Sequence, residues 1–333
     1  MKLASRAAVT ALVLAFGMAG PLPAAAGPAP LERAREAAQQ TTFQGVLHVR
    51  WRDGAVARSE RLTVEAASGA LVVRGANQVM ARPTSGRLVS HGGEGWEKMW
   101  LPSLAPAPRP DGSKYETTAP IDGPRVAERT SRVVELRHRG ALLERLYLDT
   151  QTGLLLQRDQ FDAQGDVMRS LAFESLTVGA PAAPLAEPPS TARHAPKAVA
   201  PDHLGRSAVA PPTLDDGYER MGIYRDGSVL HVLYSDGVYD LSVFQQPGRL
   251  RRSDVPPSGE KVAVGGATGW RYPWPGGQLV VWSSGGKVFT AVSDAPAEQV
   301  LAAARSLPPT PTQELSLLGK VRRACEALMA PLG

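Results

Sequence analysis

The sequence has few of the residues and motifs that form catalytic and metal sites. Cys325 is the single cysteine among 333 residues, which excludes an intramolecular disulfide, a cysteine-based zinc site and a cysteine-ligated iron–sulfur cluster. The common catalytic motifs do not occur: there is no G-x-S-x-G elbow, H-E-x-x-H helix, P-loop or G-x-G-x-x-G turn. The histidines are scattered, and no two have the spacing of metal ligands on a helix. We therefore expect no catalytic residue, no metal site and no cofactor.

The sequence also lacks an apolar run of the length that crosses a membrane. The apolar stretch near the start, Ala7–Ala19, is shorter than the roughly 20 residues that a bilayer requires. A basic start precedes it, and Ala24–Ala26 forms the small-residue pattern that signal peptidase cleaves, here before Gly27. We predict a signal peptide over residues 1–26 and an exported, periplasmic protein. An uncleaved N-terminal anchor is the alternative.

Charge of one sign is not strongly in excess. The net charge of +5 arises from 37 basic and 32 acidic residues, which is too dilute to indicate nucleic acid as a partner. Basic residues do cluster at Arg249–Arg252 and at Lys320–Arg323. These clusters are interpreted either as solvated loops or as contacts with an acidic partner or anionic lipid. The oligomeric state is left open, with a homo-oligomer included.

Short runs of alternating apolar and polar residues dominate the first half of the chain. In Val46–Arg52, the side chains of Leu47, Val49 and Trp51 fall on one face and charged side chains fall on the other. This alternation is typical of a half-buried antiparallel strand. We predict a meandering antiparallel sheet over residues 27–179. A short helix is predicted at Leu31–Gln40, and further strands at Arg61–Ala66, Ala70–Arg74, Gln78–Arg82, Arg87–His91, Glu94–Trp100, Arg132–His138, Leu142–Leu148, Leu154–Phe161 and Val167–Val178.

Residues 180–212 lack this pattern. They are rich in proline and alanine and carry almost no large apolar side chains. Such a stretch cannot bury enough surface to offset its ordering entropy, so we predict an extended linker between two domains.

A smaller domain is predicted over residues 213–308. Asp236-Gly237 is a strong hairpin signal between two apolar runs. A helix is expected to begin near Pro296 and to cover the sheet. The fold class is therefore α+β, mainly antiparallel β. The strands of this domain are predicted at Val229–Tyr234, Tyr239–Gln245, Lys261–Val264, Thr268–Tyr272, Gln278–Ser283 and Lys287–Val292, and the buried residues of its helix are Val300, Leu301 and Ala304.

Two apolar features have alternative interpretations. Trp270, Tyr272 and Trp274 alternate along one strand and so share a face, which is either domain core or a recognition surface. Residues 309–333 are predicted to form an amphipathic helix that docks on its own domain, or binds a membrane surface or a partner. Its apolar arc consists of Leu315, Leu317, Leu318, Val321, Cys325, Leu328 and Met329.

Several stretches resemble one family. Tyr234–Gly237 followed by Leu241–Phe244 is similar to the Y-S-D-G…S-V-F signature of the MucB/RseB family of periplasmic sigma-factor regulators. Leu146–Leu156 resembles the L-x-L-D-x-x-T-G-L-L-L stretch of the same family, and Thr42–Val46 resembles its first strand. The resemblance covers roughly residues 31–307.

The resemblance implies a fold and a function. The first domain should be similar to the LolA/LppX lipoprotein-carrier fold, an unclosed β-barrel, and a smaller domain should follow it. Members of this family bind the extracytoplasmic part of a membrane-anchored anti-sigma factor of the RseA/MucA type. They shield it from proteolysis and release it on sensing lipid or lipoprotein envelope stress. The residues expected at or beneath the partner-binding surface are Tyr234, Asp236, Phe244, Trp270 and Tyr272.

Two other functions remain as hypotheses. The first domain alone would serve as a periplasmic lipid or lipoprotein carrier if its concave apolar face held a ligand. An extracytoplasmic hydrolase would require histidine and acidic side chains from separate strands to meet in a cleft. The candidate lining of the lipid cavity is Leu47, Val49, Trp51, Leu62, Val64, Leu71 and Val73.

Overall fold

The computed structural model describes most of both predicted domains. The predicted signal peptide, the strand at Glu94–Trp100, the first part of the linker and the C-terminal amphipathic helix lie outside the described residues. No helix of the described part is long and apolar enough to cross a membrane. The described residues are 30–67, 70–76, 78–82, 89–92, 114–179, 197–205, 208–274 and 276–308.

The described part of the first domain is an antiparallel sheet with one α-helix, α1, at Pro30–Gln40. Its strands run in the order β5-β4-β3-β2-β1-β11-β10-β9-β8-β6, with β7 also paired to β8. The described strands at the two ends of this order do not pair with each other, so the sheet stays unclosed, as expected. The strands are β1 (Phe43–Asp53), β2 (Val56–Ala67), β3 (Ala70–Arg74), β4 (Gln78–Arg82), β5 (Val89–Gly92), β6 (Glu116–Thr117), β7 (Ile121–Asp122), β8 (Ser131–His138), β9 (Ala141–Asp149), β10 (Leu155–Phe161) and β11 (Val167–Val178).

Period-two alternation fixes which side chains of this sheet are buried. Leu47 and Val49 of β1 are almost fully buried, whereas Arg50 and Arg52, which follow them on the opposite face, are exposed. α1 lies over the apolar face and buries Leu31, Ala34 and Ala37. The predicted alternation of the first strand is therefore confirmed.

The stretch between β9 and β10 closes a tight turn. One carboxylate oxygen of Asp149 accepts hydrogen bonds from the Thr152 backbone N–H at 3.0 Å and from its hydroxyl at 2.5 Å. Arg129 donates to the same oxygen at 2.8 Å. Gly153 follows with φ of 84°, a left-handed conformation that favours glycine. These contacts explain why the D-x-x-T-G stretch carries aspartate, threonine and glycine at these positions: the three residues form the turn.

The second domain is an antiparallel sheet covered on one face by helix α2, Ala297–Ser306. Its strand order is β12-β14-β15-β16-β20-β19-β18-β17, with β13 also paired to β14. Val300 and Ala304 of α2 are buried as predicted, and Leu301 is half-buried. The strands are β12 (Lys197–Ala198), β13 (Thr213–Leu214), β14 (Tyr218–Asp226), β15 (Val229–Ser235), β16 (Asp240–Pro247), β17 (Glu260–Val264), β18 (Ala267–Trp274), β19 (Gly277–Ser284) and β20 (Lys287–Ser293).

The predicted linker, residues 180–212, requires correction over its second part. β12 pairs with β14, and Val209 is buried. The backbone N–H of Val209 donates to the Gln245 side-chain oxygen at 3.0 Å, and the Gln245 amide donates to the Val209 carbonyl. Hydrogen bonds to the backbone, together with the packing of Val199, Leu204 and Val209 on the core cluster, hold this stretch against the second sheet.

The sequence prediction missed strand β14. Only Tyr218 and Ile223 of this strand are buried, and its pairing with β15 shifts between Arg220 and Gly222. An irregular strand next to the short β12 and β13 carries no clean alternation, so periodicity did not reveal it.

Candidate functional site

The five predicted partner-binding residues fall into two groups. Tyr234 and Asp236 lie inside the protein, next to the contact between the two domains. Phe244, Trp270 and Tyr272 lie on the face of the second sheet opposite α2, which we call the outer face. The predicted residues are thus not brought together on one surface.

Asp236 joins the two domains. Its fully buried carboxylate accepts hydrogen bonds from the backbone N–H groups of Val238 at 3.0 Å and Tyr239 at 2.8 Å. The other oxygen accepts the Tyr115 hydroxyl at 2.6 Å and lies 3.0 Å from the Lys114 ammonium. Burial, and then the charge of Asp236, raise the pKa of Tyr115. Asp236 therefore shapes the hairpin turn, as anticipated, and also binds the first domain.

A second polar contact crosses the domain interface at Arg158. This buried guanidinium donates to both carboxylate oxygens of Glu144, at 2.9 and 2.7 Å, and to Asp294 of the second domain at 2.8 Å. Arg169 lies beside it and donates to the Asp294 carbonyl at 3.3 Å. Burial, and then the nearby charge of Arg158, lower the pKa of Arg169 to about 10.

Apolar packing surrounds these polar contacts. One hydrophobic cluster contains side chains of β8, β9 and β10 together with side chains of the second sheet and α2. The Tyr234 side chain belongs to this cluster, and its hydroxyl donates to the Pro211 carbonyl at 3.2 Å. Tyr234 is therefore a core residue that supports the second domain. The interface members from the first domain are Leu31, Ala34, Tyr115, Val134, Leu136, Leu146, Leu148 and Leu155.

The sequence did hold a signal for this interface. Glu144 and Arg158 stand at inward positions of β9 and β10, where the alternation calls for apolar side chains. A buried charge at an apolar position requires a partner, so such positions indicate a polar contact. The sequence could not show that Asp294 is a partner of Arg158, because the two residues are more than a hundred positions apart.

The outer face carries one continuous transverse row. Cross-strand pairing aligns the row over six strands. At one end the rings of His231 and Phe244 stack, with their centres 4.4 Å apart and an angle of 13° between their planes. Tyr224 lies 5.7 Å beyond the His231 ring. In order, the row is Tyr224, His231, Phe244, Thr290, Val281 and Trp270.

The loop between β16 and β17 covers one half of the outer face. The Arg252 guanidinium lies 5.6 Å from the Trp270 ring, and the Tyr272 hydroxyl donates to the Pro256 carbonyl at 3.0 Å. The other half, with Phe244, His231 and Tyr224, is half-buried and bears no such loop within the described segments. The aromatic residues of β18 therefore pack beneath a loop, while those of β14 to β16 are open to a partner.

The predicted lipid-cavity residues share one face of the first sheet. Six of them are buried, and Trp51 is half-buried. They pack in a cluster with Ala37 of α1, Phe43, Phe173 and Trp274 of the second domain. In this arrangement the seven side chains act as core, and lipid binding by them stays a prediction. The six buried members are Leu47, Val49, Leu62, Val64, Leu71 and Val73.

Comparison with known proteins identifies the family. The sequence matches the MucB/RseB N-terminal domain over residues 28–195, about half of the chain. The chain belongs to the MucB/RseB family. This is a family of periplasmic regulatory proteins that bind anti-sigma factors, and the resemblance in the sequence is confirmed.

A solved structure of MucB has a similar fold. The crystal structure of MucB is 23% identical with a TM-score of 0.52, over 84% of this chain and 96% of that chain. The complex structure of Pseudomonas aeruginosa MucA/MucB is 20% identical with a TM-score of 0.46, over 84% and 98% of the two chains. No match was found among curated proteins.

The family signature residues can now be placed. In the Y-S-D-G stretch, Tyr234 and Asp236 form core and domain contacts. In the S-V-F stretch, Val243 is core and Phe244 lies on the outer face. The MucB/RseB signature of this chain thus combines the domain interface with one half-buried aromatic position on the outer face.

His231 should make stability depend on pH. Burial lowers the pKa of His231 to about 4. The unfolded chain has a histidine pKa near 6.5, so stability is full above about pH 6.5 and is lost as pH falls toward 4. Urea titrations at pH 7 and 4.5 measure how much the free energy of unfolding decreases on acidification. We expect His231→Phe to make this decrease smaller by about 2 kcal/mol.

His203→Phe is the control for this prediction, because the His203 side chain is 78% exposed. This variant should show the same decrease in the free energy of unfolding between pH 7 and 4.5 as the unchanged protein. An equal decrease in the His231→Phe variant and the unchanged protein would contradict the role given to His231.

Proposed function

We propose that the protein is an exported, non-catalytic regulator that binds the extracytoplasmic part of a MucA/RseA-like membrane anti-sigma factor. Membership of the MucB/RseB family is the observation that carries this proposal. The P. aeruginosa structure in which MucB is in complex with MucA supports the choice of partner. The protein would act in the periplasm after cleavage of residues 1–26.

The outer face is the surface we assign to the partner. Its open half presents Phe244 and Tyr224 half-buried, and Met221, at the pairing shift in the same strand as Tyr224, is 58% exposed. Arg249 and Arg251 are exposed in the loop that covers the other half. An extended partner segment with apolar side chains and acidic flanks would complement this surface in both shape and charge.

Direct binding tests the proposal. The mature protein is titrated in a calorimeter with the exported segment of a MucA/RseA-like anti-sigma factor from the same organism. We expect a one-to-one complex with a dissociation constant of about 1 μM or tighter. Absence of heat and of co-migration at micromolar concentrations would contradict the proposal.

Phe244→Ala should weaken this complex. Truncating an aromatic anchor at an interface centre costs on the order of 1–2 kcal/mol, which corresponds to about a tenfold rise in the dissociation constant. Val56→Ala removes an apolar side chain that is 55% exposed on the first sheet, and it should leave binding unchanged. If the two variants bound the partner with equal affinity, the outer face would not be the binding surface.

Shielding and release complete the proposed function. The bound regulator would keep the anti-sigma factor from its site-1 protease, and a lipid or mislocalised lipoprotein would reverse this. A lipid that entered over β1 to β3 would have to part the cluster of Leu47, Val49 and Leu62. Such a ligand shifts the equilibrium only if it binds the two arrangements with different affinities.

A further inference from the structure

The first sheet carries a cavity that is lined by side chains of both of its faces, including Trp51 at the margin of the apolar cluster. The cavity measures about 430 Å³ and lies where the β1–β2 and β10–β11 hairpins end side by side. This volume is within the range of small-molecule sites. Its lining includes Arg50, Arg52, Arg58, Ser59, Met168 and Ser170.

The charge of this cavity is predominantly positive. Four arginines line it, and Asp159 is the one acidic residue among the described lining residues. The Asp159 carboxylate already accepts the Ser170 hydroxyl at 2.6 Å and the Gln157 amide at 2.8 Å. The excess of guanidinium groups therefore favours an anion in the cavity.

Arg50 differs from its neighbours in its contacts. Arg52 pairs with Asp166 at 3.4 Å, and Arg58 pairs with Asp53 at 2.9 Å. The Arg50 guanidinium makes one hydrogen-bond contact to the described residues, with the Ser170 hydroxyl at 3.5 Å. Its side chain is exposed, so it can turn toward a ligand at small cost.

Strand register completes the arrangement. Ser59 of β2 and Ser170 of β11 stand directly opposite Arg50 on its two sides. The Ser170 hydroxyl already donates to Asp159, so the exposed donors of this row are the Arg50 guanidinium and the Ser59 hydroxyl, which are of the kind that bind phosphate oxygens. A planar, always-charged guanidinium suits a phosphate better than it suits a neutral ligand.

We propose that Arg50 and Ser59, which are exposed and directly opposite each other, bind a phosphate-type oxyanion, either free or as a phospholipid headgroup. We call this pair the Arg50 site. It is separate from the outer face, and the proposal holds or fails independently of partner binding.

Titration of the mature protein with inorganic phosphate at low ionic strength tests the Arg50 site. We expect saturable binding that Arg50→Gln weakens by at least about tenfold. Arg61→Gln is the matched control, because it removes the same charge from the same face while Arg61 is held by Glu174 at 2.9 and 3.0 Å. The control should change the affinity by less than about twofold.

Vesicles distinguish the two sources of the anion. Phosphatidylcholine vesicles with and without phosphatidic acid are sedimented with the unchanged protein and both variants. Recruitment that requires both phosphatidic acid and Arg50 assigns the headgroup, whereas phosphate binding without recruitment assigns the free anion. The proposal would be overturned if Arg50→Gln and Arg61→Gln reduced binding equally. It would also be overturned if neither phosphate nor the vesicles bound saturably.

Discussion

Replacing Arg158 by methionine should lower the free energy of unfolding by about 3–5 kcal/mol, measured by urea denaturation at pH 7. The Arg158 side chain is 5% exposed, and its Glu144 partner is 1% exposed. Removing the cation leaves a buried carboxylate without its counter-charge and removes a contact to Asp294 across the domain interface. Loss of the Arg158 guanidinium should therefore destabilise both the first domain and its contact with the second domain.

Two further variants isolate the cause. Arg145→Met breaks an ion pair with Glu135 in which the Arg145 side chain is 42% exposed, so it should cost less than about 1 kcal/mol. In the double variant Glu144→Met with Arg158→Met, both buried charges are gone. It should be more stable than Arg158→Met alone, because the buried Glu144 carboxylate is no longer left without its counter-charge, while Asp294 loses Arg158 equally in both variants. A double variant that is less stable than the single one would contradict this explanation.

Replacing Asp236 by alanine should cost about 3–4 kcal/mol, since four donors lose an acceptor that is fully shielded from water. Two of the donors are the backbone N–H groups of Val238 and Tyr239, which hold the hairpin turn. The other two are Tyr115 and Lys114, which belong to the first domain. One substitution thus affects both the turn and the domain interface.

Asp236→Asn separates these two effects. The amide oxygen can still accept from the turn N–H groups, but the charge opposite Lys114 is lost. We expect a smaller loss of about 1–2 kcal/mol. Asp226→Ala, at an exposed turn position of the same domain, serves as the control and should have little effect. Equal stabilities of Asp226→Ala and Asp236→Ala would contradict the assigned contacts.

Local patterns predicted the strands well where one face is apolar. β3, β4 and β11 have the predicted limits, and the alternation of β1 places Leu47 and Val49 in the core. Period-two patterning reports burial of one face, so it succeeds where a strand has a uniform buried face. It failed at β14, where the pairing shifts and few side chains are buried.

Long-range contacts were beyond the reach of the sequence. Phe244 and Trp270 were predicted at or beneath a binding surface, and register shows that they share one row on the outer face. The pairing of Asp236 with Tyr115 joins residues 121 positions apart, and no local pattern encodes such a partner. The second part of the predicted linker packs through a glutamine–backbone pair, which composition does not reveal.

Proteolysis of the partner tests the central claim most directly. The membrane anti-sigma factor in vesicles is exposed to its site-1 protease with and without an excess of the mature protein, and the rate of cleavage is measured. We predict that the protein slows cleavage by at least about tenfold, and that Phe244→Ala removes most of this protection while Val56→Ala retains it. An unchanged cleavage rate in the presence of folded protein would contradict a regulatory role in shielding the anti-sigma factor.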